Sequence, residues 1–155
     1  MRLLGISAIV AFVLDQVTKY GAIYGLALAE GDVDVFPPLL VLRKGLNTGI
    51  NFGLLSGLPF DARWLLIGLA VVISAALVLW ASRSFDRPIQ FIAAGFVVGG
   101  ALGNALDRVI HPGVLDFLNM SCCGISNPYI FNVADIFIFA GAIGIALFTG
   151  EKKAA

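Results

Sequence analysis

The sequence predicts an all-α membrane protein, a bundle of four transmembrane helices. Three observations carry that prediction. Hydrophobic residues make up 59% of the 155-residue chain and charged residues only 13%, with a mean hydropathy of +0.96. With the 18 glycines added, the apolar share reaches roughly 70%, against about half in an ordinary soluble domain. The apolar residues also fall in four runs, at 3–29, 64–81, 89–106 and 130–148. Each is close to the roughly 20 residues that cross about 30 Å of hydrocarbon as a helix. No alternation of the outer-membrane-barrel kind appears. A soluble fold of this size has no interior for so much apolar surface, and disorder is excluded by the same composition. Ten basic residues balance ten acidic ones, which leaves no footprint for nucleic acid. The length predicts one membrane-embedded domain, 1–155, expected as a monomer surrounded by membrane lipid.

The first run resembles a cleavable signal peptide at its ends, with Arg2 before it and Ala27-Leu28-Ala29 after it. Asp15, Gln16 and Lys19 interrupt its core, and the small residues lie too far past it, so a retained helix is predicted. The outer connection 30–63 opens with a β-prone stretch around Pro37-Pro38 and continues with glycines mixed among apolar residues. A small sheet followed by a short amphipathic surface helix is expected there. The second run carries no charge and reads as scaffold. The inner connection 82–88 is tight and polar, and the second outer connection spans 107–129. Arg2, Arg83, Arg87, Lys152 and Lys153 then share one side, against Arg43, Lys44 and Arg63 on the other. That bias places both termini in the cytoplasm. Cys122 and Cys123 are adjacent, and adjacent cysteines rarely bridge each other because the ring is strained, so no disulfide is expected. The single histidine, His111, has poor spacing to them for zinc. No metal and no cofactor are expected.

Polar residues inside a membrane span are costly, so their depth is informative. Counted at 1.5 Å per residue from the inner face, Asp15 lies about 18 Å up and Lys19 about 24 Å up. Asn104 and Asp107 lie at about 22 and 27 Å, and Asp135 and Asn132 at about 20 and 24 Å. Three helices thus bring carboxylates and amides to one level, the outer third of the bilayer. Gly95, Gly99 and Gly103 recur every four residues and form a face on which another helix can pack closely, with Asp107 continuing the row. Asp15 and Lys19, four apart, form either an ion pair that shapes the bundle or a direct substrate contact. Asp107 and Arg108 are open to the same kind of reading, as an ion pair anchoring the helix end.

Asp116 lies in the outer connection, flanked by Val114, Leu115 and Phe117, which dip back into the interface and carry it toward Asp135. Two carboxyl groups in one dry pocket cannot both ionise. The ionised one can take a proton from water while the protonated one polarises a carbonyl, which is aspartic-protease chemistry.

At these residues the sequence resembles the lipoprotein signal peptidase (signal peptidase II) family, bacterial membrane aspartyl peptidases. Asp15-Gln16-Val17-Thr18-Lys19 is similar to the family's D-Q-x-x-K, and Asn47-Thr48-Gly49-Ile50-Asn51-Phe52 to N-x-G-x-x-F. The stretch 99–108 (GGALGNALDR) is similar to G-x-x-G-N-x-x-D-R, Val114-Leu115-Asp116-Phe117 to V-x-D-F, and Phe131-Asn132-Val133-Ala134-Asp135 to F-N-x-A-D. The resemblance implies four spans with a small outer, periplasmic β-cradle and a surface helix. It implies an aspartic endopeptidase of the bacterial inner membrane that cuts prolipoproteins on the N-terminal side of a diacylglyceryl-modified cysteine. Asp116 and Asp135 would be the catalytic pair. Asn47, Asn104, Arg108 and Asn132 would bind substrate or support the pair, and Asp15, Lys19, Asp107, Gly99 and Gly103 would be structural. Asn51 departs from the family's small apolar residue and bears on specificity. A small transporter or proton channel is the rival reading of the same acids. It predicts polar residues along the full depth of a path, and the inner halves of these runs are almost purely apolar.

Overall fold

The computed structural model describes residues 1–49 and 62–149. They form α1 (Arg2–Tyr20), a π-helical turn (Gly21–Gly25), β1 (Val33–Phe36), β2 (Leu40–Asn47), α2 (Ala62–Ser84), α3 (Pro88–Ile110), β3 (Val114–Asn119) and α4 (Val133–Thr149). The stretches Arg2–Gly25, Ala62–Ser84 and Pro88–Ile110 are long and apolar enough to cross a membrane, and α4 is apolar with 17 residues. The chain is therefore a mostly helical, multi-pass membrane protein with three to four apolar helices and a small sheet. Ile9, Val17, Val72, Phe139 and Leu147 are more than three-fifths exposed, which suits a surface solvated by lipid.

Helix α3 stands at the centre, and small residues set its distances. A Cβ on Gly95 would strike Ser7 Oγ, and one on Gly99 would strike the Ala8 carbonyl, both on α1. One on Gly103 would sit 2.6 Å from Asp15 Oδ2, so the expected close-packing face is the face toward α1. The opposite side of α3 meets α4 in the same way. Gly100 lies under the Ala134 carbonyl, and Gly141 of α4 under the Ala93 carbonyl. At the far end Gln90 closes the start of α3: its Oε1 accepts the Asp86 and Arg87 N–H groups, and its Nε2 donates to the Phe148 carbonyl of α4. Helix α2 packs on α3 through Leu77 and Ala81 against Ala94 and Val98.

Helix α1 closes at Tyr20, short of the predicted limit at 29. Glycines at 21 and 25 weaken it there, the backbone widens into the π turn, and Ala27 leaves at φ 51°. This turn buries Ala22, which packs with Leu28 beneath the sheet against Leu42 and Phe117. The sheet is antiparallel in the order β1-β2-β3. Its third strand corrects the reading of 107–129 as a plain connection. The register sets Gly45 opposite Asp116 and Asn47 opposite Val114. The surface helix expected after β2, and Asn51 with it, lie outside the described residues.

A second correction concerns the cysteines. Cys122 and Cys123 are joined to each other by a disulfide. The tight turn from Cys122 to Ile125 places Cys123 and Gly124 at φ 60° and 79°, and this bend brings the neighbouring sulfurs together.

Candidate active site

The site lies at the end of the bundle that carries the sheet, and it is built on a buried lysine. Asp15, Lys19 and Asp107 are fully buried. The Lys19 ammonium donates to Asp15 Oδ2 at 2.8 Å and to Asn104 Oδ1 at 2.9 Å, and it pairs with Asp107 Oδ2 at 2.8 Å. Buried charges hold together only when their remaining hydrogen-bonding capacity is used, and here it is. Asp15 Oδ1 accepts the Ala134 N–H in the first turn of α4. Asp107 Oδ2 accepts the Leu115 N–H next to Asp116, and Asp107 Oδ1 accepts from Gln16 Nε2. Three helices and β3 are thereby tied at one level.

Asp135 sits at the start of α4 in a reciprocal cap. Its own N–H donates to Asn132 Oδ1 at 3.0 Å, and its Oδ2 accepts the Asn132 N–H at 3.1 Å. Its Oδ1 accepts from Asn104 Nδ2 at 3.0 Å. Both oxygens thus accept N–H bonds at the N-terminus of a helix. Asp116 arrives from β3 and is 2% exposed. Its Oδ1 accepts from Asn132 Nδ2 at 2.6 Å, and the same Nδ2 lies 3.2 Å from Asn104 Oδ1. Burial pushes the Asp116 carboxyl up to about 6, and the nearby Asp135 charge adds to the rise. Hydrogen bonds from Asn132 and Asn47 oppose it. Two amides therefore bridge two carboxyl groups whose surroundings differ. Beside Asp116 a cleft of about 230 Å³ opens between Gly45 and Asn47 of β2 and Tyr129 and Ile130. A Cβ on Gly45 would lie 3.0 Å from Ile130 Cδ1, so the glycine leaves Ile130 room at the cleft wall. The Asn119 amide holds the far wall by donating to the Asn127 and Tyr129 carbonyls.

Asn51 apart, which lies outside the described residues, the polar residues assigned to the site from the sequence come together. Asp15 and Lys19 form the ion pair, which favours the bundle-shaping reading of that pair. Asp107 pairs with Lys19, not with its neighbour Arg108, which corrects the helix-end ion pair considered above. Position explains it: Lys19 lies on the α1 face of α3, in line with the glycine row. Arg108 donates to the Asn104 carbonyl and lies within electrostatic reach of Asp116, Asp135 and Asp107. Gln16 interrupts the first apolar run and belongs to the D-Q-x-x-K match but carries no site role in the sequence reading, yet its amide touches Asp15, Asp107 and the Gly103 carbonyl. An amide inside an apolar run beside two charged residues was the available signal. Gly113 was missed as well. A Cβ there would lie 2.7 Å from the Asn47 carbonyl, so this glycine lets β2 and the start of β3 close. Among the described residues no group of three His, Cys, Asp or Glu side chains is placed to hold a metal ion.

A membrane helix bundle with two bridged carboxyl groups under a small sheet is the build of a membrane-embedded enzyme. Comparison with known proteins narrows the class. The family model described as signal peptidase (SPase) II matches residues 7–149. A lipoprotein signal peptidase of Methylobacterium sp. strain 4-46 is 39% identical over 148 residues, covering 96% of this chain and 88% of that protein. One from Rhodopseudomonas palustris is 38% identical, covering 94% and 90%. A solved bacterial membrane enzyme superposes with a TM-score of 0.80 at 26% identity, covering 96% of this chain and 92% of that one. The chain belongs to the signal peptidase II family, and it is an aspartyl peptidase. The transporter alternative finds no support.

Proposed function

We propose that this protein removes signal peptides from prolipoproteins, cutting on the N-terminal side of a diacylglyceryl-modified cysteine, with Asp116 and Asp135 as the acid pair. The observation that carries the assignment of the pair is the amide bridge, Asp116–Asn132–Asn104–Asp135, which holds two unequal carboxyl groups beside the cleft. Asp135, with N–H donors on both oxygens, is the base that takes a proton from water. Asp116 retains its proton longer and polarises the scissile carbonyl. As the water oxygen bonds to the carbonyl carbon, the proton on Asp116 stabilises the developing oxyanion. Return of a proton to the amine lets the C–N bond break, and the pair is restored. Asn47, which lines the cleft, and Arg108, within electrostatic reach of both carboxyl groups, are the candidates to meet the substrate backbone.

The chain then crosses the membrane four times, α4 included, as one domain. Both termini are cytoplasmic and the sheet faces outward from the bacterial inner membrane. The charge bias of the flanks supports that orientation. The working unit is a monomer bedded in lipid, with the lipid-modified prolipoprotein as its partner. Incubation of purified protein with a diacylglyceryl prolipoprotein should produce the mass loss of one signal peptide. Intact substrate after incubation with folded protein would refute the proposal.

A further inference from the structure

We propose that Lys19, one helix away from the acid pair, is a positioning residue that acts through Asn104. The inference rests on the assignment of Asp116 and Asp135 as the acid pair. An ammonium group only donates, so the atom of Asn104 that faces Lys19 at 2.9 Å is its carbonyl oxygen. Asn132 Nδ2 also presses a donor on that oxygen at 3.2 Å. The Asn104 amide is thus held one way round, and its Nδ2 is left to meet Asp135 Oδ1 at 3.0 Å. A flipped amide would set N–H against N–H at both Lys19 and Asn132, and would turn an oxygen toward the Asp135 carboxylate. Lys19 is locked in turn by Asp15 and Asp107, so the orientation passes from a rigid ion trio in α1 and α3 to the base in α4. A plain structural ion pair needs only the carboxylates. The third acceptor, an amide whose other end touches the acid pair, is what a positioning role adds.

Losing the Lys19 contact frees the Asn104 amide to turn, and the donor that fixes Asp135 Oδ1 is lost with it, so the chemical step suffers while substrate binding is kept. The experiment measures kcat and KM on a diacylglyceryl prolipoprotein, with thermal unfolding alongside, for wild type, Lys19→Met, Lys19→Gln and Gln90→Leu. Gln90 ties α3 to α4 at the opposite end of the bundle and is the purely structural comparison. Lys19→Met should lower kcat by about 10–100-fold at little cost in KM. Lys19→Gln retains an N–H for Asn104 Oδ1 and should recover part of the loss. Gln90→Leu should lower thermal stability and leave the kcat of the folded protein in place. A folded Lys19→Met with wild-type kcat overturns the proposal, as does an equal fall of kcat in Gln90→Leu. If Lys19→Met does not fold, Lys19→Gln against Gln90→Leu decides: a loss of kcat in the first alone supports the role, and equal losses or none overturn it. Asp116→Asn and Asp135→Asn run in the same assay. Activity in either sinks the acid pair itself, whereas two dead variants beside an unaltered Lys19→Met sink only the role of Lys19.

Discussion

Asp116 is a carboxyl group kept in surroundings that do not suit its charge. Its ordinary value of 3.8 rises to about 6, chiefly through burial. A carboxyl raised in this way binds more protons folded than unfolded, so stability falls as pH climbs from about 4 to about 6 and stays lower above. The gap corresponds to at most about 3 kcal/mol. Asp116→Asn removes that cost, and its oxygen still accepts from Asn132. We expect the variant to be inactive in the cleavage assay yet more heat-stable than wild type near pH 7, with the difference vanishing toward pH 4. Thermal unfolding in one detergent across that range checks it, and a wild type at least as stable at pH 7 would contradict it. Asp135→Asn should also abolish cleavage, because an amide cannot take a proton from water. Its stability should move the other way, since Asp135 serves the α4 cap and its loss there costs on the order of 1 kcal/mol.

At the scale of the helix, α3 owes its central place to glycine. Gly99→Val would drive a side chain into the Ala8 carbonyl of α1, a backbone atom that cannot swing aside. Loss of the folded bundle is expected, read as aggregation on detergent extraction. Gly68 of α2 has open space beside it, so Gly68→Ala should be tolerated in the same measurement. Elements of this kind were legible in the sequence, because a run of about 20 apolar residues has few alternatives and a four-residue glycine spacing has a direct packing meaning. β3 was less so. Residues 114–117 and 119 are all buried, which erases the in-out alternation by which a strand is usually recognised. The carboxylates and amides could be levelled by counting residues along helices. Which of them touch could not, since Asp107 has Arg108 beside it in sequence and Lys19 beside it in space. The turn that joins Cys122 to Cys123 depends on positive φ at Cys123, which its side chain does not announce.

On the proposed placement the acid pair lies near one membrane face, beside a cleft of about 230 Å³. We expect depth to select the substrate there, since acyl chains on the cysteine would fix its scissile bond at the membrane surface. One prolipoprotein assayed with and without its diacylglyceryl group, in the same membrane mimic, should be cut only when lipidated; equal rates would refute selection by depth. Chelators should leave cleavage unchanged, and a loss restored by zinc would overturn the acid mechanism. The Lys19 ion trio has a further consequence, for biogenesis. Helix α1 reaches the membrane before α3 and α4 have been made, and a lone lysine or aspartate at that depth would oppose its entry. Asp15 and Lys19, one turn apart on the same helix, cancel each other's charge at the moment of insertion. Only when residues 104–107 arrive is the lysine shared with α3, and only when Ala134 offers its N–H to Asp15 does α4 lock. The ion cluster is therefore complete only when α1, α3 and α4 have all met.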